Sequence, residues 1–276
     1  MIDTHVHFWQ LSRRDYLWIK PENQTLYRDY LLEDVEEYLA KNHISGVIAV
    51  QAAHTVDETK YLLELAVKHE QIIGVVGYLD LEASATIKLY EQLRKNPYFV
   101  GIRYTLHGFN TDQWEISNQL LENLTIMAKD GFPIDLLMNA GNVPYISRLL
   151  EKVPHLKVVV NHLGAPLYHD SFQPWAEGMR NIAEHPKAMC KLSGMISQTK
   201  GNQPEIFKKY VAHLIDCFGS DRLLFGSDWP VALLGGNYDE VVHMFREVLP
   251  DHLDESQLNN ILFENAKRCY RLEDAR

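Results

Sequence analysis

The 276-residue chain is poor in cysteine: Cys190, Cys217 and Cys269 are far apart, and no CxxC pair occurs. A disulfide framework and a zinc ribbon are therefore excluded, and a reducing compartment is expected. No apolar run approaches the roughly 20 residues that span a bilayer. The first apolar stretch begins at Met1 but carries His5 and His7, which a secretory leader would not. Positive charge is also in deficit, with 27 Lys and Arg against 37 Asp and Glu, a formal net charge of −10. Such a surface disfavours nucleic acid and acidic membranes as partners. A cytoplasmic protein acting on a small molecule is the expectation. No Pro/Gly/Ser-rich linker or low-complexity tract divides the chain, so residues 1–276 read as one domain. The oligomeric state, a homodimer included, is not legible.

Eight short apolar runs alternate with amphipathic stretches. They lie near Ile2–His7, Gly46–Ala52, Ile72–Leu79, Phe99–Tyr104, Pro133–Asn139, Lys157–His162, Ala188–Ser193 and Arg222–Asp228. Several, such as Gly46-Val-Ile-Ala-Val50, are continuously apolar, as strands buried on both faces must be. Between them, Thr55 and Glu58 have the spacing of a capping box opening a helix. Leu120, Leu121, Leu124, Met127 and Ala128 form a helical stripe, with Gly131 where a left-handed cap belongs. Eight strands alternating with helices over this length predict an α/β fold of the (β/α)₈ TIM-barrel type. An open doubly wound sheet would show a Gly-rich turn after its first strand, and here that strand runs into His-Phe-Trp. The long segment from Phe8 to about Leu31 is read as a partial cover over the barrel mouth.

In such a barrel, reactive groups gather where strands end at the C-terminal face. The first run ends in His5-x-His7. Residues i and i+2 on a strand point the same way, so two imidazoles about 7 Å apart can share one metal. The sixth run ends at His162 and the eighth at Asp228. Singly, each has an ordinary structural explanation: a core histidine, or an Asx turn before Pro230. Their joint placement at the ends of strands one, six and eight points to a site.

With those residues in view, the chain resembles the amidohydrolase superfamily, and within it the lactonase-like branch of sugar-acid lactonases and pyrone-dicarboxylate lactonase. The segments that carry the resemblance are Asp3-Thr-His-Val-His-Phe-Trp9, Gly101-Ile-Arg-Tyr104, Val160-Asn-His-Leu-Gly-Ala-Pro166, Cys190-Lys-Leu-Ser-Gly194 and Phe225-Gly-Ser-Asp-Trp-Pro-Val231. The resemblance implies an amidohydrolase-type barrel and hydrolysis of a sugar-acid lactone. It implies Asp228 and His162 as catalytic residues, and one divalent metal, zinc by preference, on His5, His7 and Asp228. Many amidohydrolases place a bridging Lys or a metal-binding His at strand four or five. The fifth run here, Asp135-Leu-Leu-Met-Asn139, has neither, so a single metal, weakly held or dispensable, is expected. Substrate contacts are expected from Arg103, Lys191, Trp9, His54, His107, Asn139 and Trp229. An inward-facing Lys191 would need a carboxylate partner, for which Asp228 is the candidate. The rival readings are a lactonase for a carboxylated aromatic-degradation product, which would demand several arginines, a metal-dependent decarboxylase, and a catalytically inactive sugar-acid-binding barrel.

Overall fold

The computed structural model describes residues 1–106, 114–168, 170–199 and 201–272. Eight parallel strands occur among them: β1 Ile2–Val6, β2 Gly46–Val50, β3 Ile72–Gly77, β4 Phe99–Thr105, β5 Pro133–Leu137, β6 Lys157–Val160, β7 Ala188–Leu192 and β8 Leu223–Phe225. They pair in chain order from β1 to β8, and helices cover the outside. This is the (β/α)₈ barrel that the alternation predicts. Four of the eight strands (β1, β2, β7 and β8) are buried at every position, and the others at all but one or two, as the continuous apolar runs require. No helix of the described residues is long and apolar enough to cross a membrane.

The barrel floor is filled by Ile48, Val50, Val76, Val100, Val159 and Leu224. Against them packs a short C-terminal helix, Asn265–Tyr270, whose Tyr270 and Cys269 plug the bottom. The strand-helix alternation does not reveal this plug. The opposite end is left open, and the site lies there.

The capping expectation at Thr55 is half met. The Thr55 hydroxyl accepts from Glu58 N at 3.1 Å as the N-cap of helix Val56–Lys68. The Glu58 carboxylate does not return to Thr55. It accepts from Ala52 N (2.8 Å) and Ala53 N (3.0 Å), in the turn that follows β2. Gly131, at φ +60, takes the left-handed conformation its position asks for.

The seam between β1 and β8 is not a regular ladder. A single bridge joins Val6 to Trp229, and side chains do the rest. The Thr4 hydroxyl donates to Phe225 O at 2.6 Å. One Asp3 carboxylate oxygen accepts from both His5 N (3.0 Å) and Ser227 N (2.9 Å), and the other from the Tyr238 hydroxyl (2.7 Å). A Cβ at Gly226 would lie 2.8 Å from that of His5, so only glycine lets the strands close this tightly. Asp3→Ala strands three buried donors. It is expected to lower the unfolding free energy by about 3 kcal/mol, read from urea denaturation.

Candidate active site

The seam sets the geometry of the site. Asp228 N donates to His5 O at 2.8 Å and His7 N to Trp229 O at 2.7 Å. The first and last strands are thereby locked side by side, and His5, His7 and Asp228 converge. Asp228 sits just past β8 at φ +62, and His162 just past β6 at φ +53. Left-handed backbone at non-glycine residues is uncommon and concentrates at functional sites. The sequence places both at strand ends, and the structure moves them into the first turn beyond, which aims them at the barrel axis. A Cβ at Gly194 would lie 2.8 Å from His162 Nδ1, so this glycine makes room for the ring.

Asp228 Oδ1 lies 3.7, 3.4 and 3.8 Å from Nε2 of His5, His7 and His162. Burial pushes the Asp228 carboxyl up, but the neighbouring His162 and His7 imidazoles and the Arg103 guanidinium together hold it below its ordinary value. Burial, followed by the nearby Lys191 charge, drives His5 well below its usual range. Burial lowers His162 to about 4, against the opposing pull of Asp228. Its Nδ1 rests 2.9 Å from the Ser193 hydroxyl, which also accepts from His162 N.

Two observations test whether a cation fits. His7 Nδ1 is 2.8 Å from Val50 O, so the proton belongs on Nδ1. The Nε2 lone pair then faces the Asp228 carboxylate, acceptor against acceptor, and a positive charge belongs between them. His5 Nε2 is buried with no hydrogen-bond partner. The ligand atoms of His5, His7 and Asp228 lie within 4.8 Å of one another. Two imidazoles and a carboxylate suit a divalent metal such as zinc. In metal sites the far ring nitrogen of a histidine commonly donates to a carboxylate, which raises its basicity. Here His5 Nδ1 instead faces Lys191 Nζ at 3.4 Å, which weakens His5 as a ligand.

Lys191 is fully buried beneath the site. It donates to Asp135 at 2.6 Å and to Thr4 O at 2.6 Å. Its carboxylate partner is Asp135, not Asp228 as expected from the sequence. Asp135 also accepts from Asn161 and from the Tyr270 hydroxyl of the C-terminal plug. The Lys191 contribution is thus to the platform under His5, and it does not line the cavity.

Above the four residues opens a cavity of about 590 Å³, lined by His7, His162, Asp228, Arg103 and His54 among others. His5 lies below its floor. Arg103 projects from β4 and donates from Nη1 to Gln51 O at 2.9 Å, leaving its buried Nε without a partner. His54 is exposed and sits 3.1 Å from the Thr105 hydroxyl. Trp18 lines the mouth and donates to Ala52 O at 2.7 Å, so the first segment does reach over the opening. Trp9, Trp229 and Asn139 depart from expectation. Trp9 and Trp229 are buried, packing against Tyr30 beneath the first segment. Asn139 caps a short turn, accepting from Gly141 N. His107 lies outside the described residues. Sequence reasoning missed Gln51, Thr105, Ser197 and Gln198 on the wall. The first two stand at strand ends, the signal that would have found them; the last two lie on the short helix Met195–Thr199 that follows Gly194.

With this geometry in place, the chain can be set beside known proteins. It is 32% identical over 243 residues to L-fucono-1,5-lactonase of Burkholderia ambifaria, covering 87% of this chain and 83% of that protein. It is 28% identical to L-fucono-1,5-lactonase of Burkholderia multivorans over 99% of this chain and 96% of that one. A solved amidohydrolase of Burkholderia multivorans with bound zinc superposes with a TM-score of 0.87 at 28% identity, covering 98% of both chains. Residues 2–272 match the family described as Amidohydrolase, and the chain belongs to that family.

Proposed function

We propose that this protein hydrolyses the ring ester of a small, neutral sugar-acid lactone, of the L-fucono-1,5-lactone or L-rhamnono-lactone kind. The observation that carries the reading is the buried Asp228 carboxylate, ringed by three imidazoles at the floor of an apolar-walled cavity that holds one guanidinium. The names of the relatives support the substrate class. Arg103 is the one Lys or Arg among the described lining residues. A substrate with two carboxylates would call for more positive charge, which favours a neutral polyol ring.

Asp228, ionised at neutral pH, takes a proton from the attacking water as it adds to the lactone carbonyl. The carbonyl–ring oxygen bond then breaks, and the same carboxyl returns the proton to the departing ring oxygen, giving the open hydroxy acid. His162 is placed to steady the oxyanion, and Arg103, with its free Nε, to hold the lactone and then the product carboxylate. Trp18, Leu137 and Val231 provide the apolar wall. His5, His7 and Asp228 would hold one divalent metal, zinc by its donor preference and by the zinc in the solved neighbour. Such a metal supplies electrophilic assistance at the carbonyl and a more acidic water. Lactones are activated esters, so weak retention by the Lys191-shadowed His5 is compatible with turnover.

A lactone panel followed by acid release, with and without chelator, tests the reading. Ring opening of neutral aldonolactones is expected, and no turnover of any lactone would overturn it. Asp228→Asn should lower kcat by about a hundredfold or more, and an unaltered rate would remove Asp228 from the mechanism.

The pH profile follows from the same groups. His162 is held down to about 4 by burial, so it is neutral above that value and gains a proton as pH falls through it. Asp228 is likewise displaced downward. The acid limb of kcat/KM should therefore lie near pH 4, far below the ordinary histidine range, and a limb at 6 to 7 would contradict the assignment.

A further inference from the structure

The Glu58 carboxylate has no part in the chemistry above, yet it is fully buried. Burial pushes it up to about 7, against the pull of two backbone N–H groups. A carboxylate is costly to bury, and a helix start needs it only to return to its own N-cap. Glu58 instead holds the turn after β2. Both its oxygens accept there, from Ala52 N and Ala53 N. The carbonyls of the same turn are taken from the other side by two cavity residues: Gln51 O accepts from Arg103 Nη1 at 2.9 Å, and Ala52 O from Trp18 Nε1 at 2.7 Å. Three elements far apart in the chain therefore meet on three consecutive residues: the first segment, helix Val56–Lys68 and β4.

We propose that Glu58 is a positioning residue for substrate recognition, fixing the Gln51–Ala53 turn on which Arg103 and Trp18 are seated. It touches no substrate. It acts by denying the turn other conformations, so that the Arg103 guanidinium and the Trp18 indole are pre-set on the cavity wall before the lactone enters. The role predicts a loss of binding, not of chemistry, when Glu58 is changed, because Asp228 and His5 are anchored at the β1–β8 seam, His162 by Ser193, and His7 by Val50 O, inside β2 and ahead of the turn.

The inference rests on the lactonase reading for its kinetic arm and is independent of it for its optical arm. Glu58→Ala should raise KM about tenfold, the equivalent of one well-made hydrogen bond, with kcat within about threefold. Glu58→Gln keeps one acceptor and should recover part of the loss. Trp18 is half-exposed, and iodide quenching of its fluorescence should increase in Glu58→Ala, while the same change in a Trp18→Phe background should leave quenching unaltered. A merely structural role would lower Tm without moving the KM-against-kcat split or the quenching. Unchanged quenching together with unchanged KM, or a loss confined to kcat, overturns the proposal. Should no lactone be turned over by the unmodified protein, the lactonase reading fails and the quenching arm alone decides the role of Glu58.

Discussion

The closure of β1 against β8 is the constraint on which the site depends. His5 and Asp228 are 223 positions apart in the chain, and nothing local holds them together. The Asp3 carboxylate does, by accepting from His5 N and Ser227 N at once. The backbone bond from Asp228 N to His5 O completes the lock. A barrel closed by a regular ladder would fix the strand register but not the left-handed turn at Asp228. Side-chain acceptors at the seam allow that turn, and the turn aims the carboxylate at the axis. Packing at the floor, sealed by the C-terminal helix, leaves the other end free to be a cavity.

Two buried carboxylates divide the electrostatic work. Asp135 neutralises Lys191 at 2.6 Å and ties in Asn161 and Tyr270, so that a full positive charge is tolerated under His5. Asp228 is left to the imidazoles and to Arg103. Its position between three Nε2 atoms, with His7 tautomerised by Val50 O, makes it the natural seat of a positive charge, whether proton or metal. The ammonium behind His5 distinguishes this arrangement from metal sites in which a carboxylate stands in that place. That difference gives the lack of a strand-four or strand-five His or Lys ligand among the described residues a physical counterpart: the centre is built around the Asp228 carboxylate.

Much of this was legible in the sequence because it is periodic or terminal. Continuous apolar runs showed buried parallel strands, and strand-end histidines with Asp228 marked the mouth. Arg103 and His54 fell on the wall because they follow the same strand-end rule. What sequence could not show is what depends on pairing across the barrel. Lys191 needed a carboxylate, and only the register of neighbouring strands shows that Asp135, from β5, is the one that reaches it. Trp9 and Trp229 each read as packing before ring-stacking surface when taken singly, and the structure buries both. Glu58 has the spacing of a capping box, and its true partners are visible only once the β2 turn is folded back over the helix start.

The central claim is that four residues from distant parts of the chain operate as one unit around Asp228. A double-variant cycle measures that directly: kcat for His7→Gln, Asp228→Asn and the pair, on the best lactone substrate. Groups that act as a unit are grossly non-additive, so the pair should be no slower than the slower single variant by more than about threefold. Losses that multiply across the pair would show that His7 and Asp228 act independently, and the account of a single converged centre would be wrong.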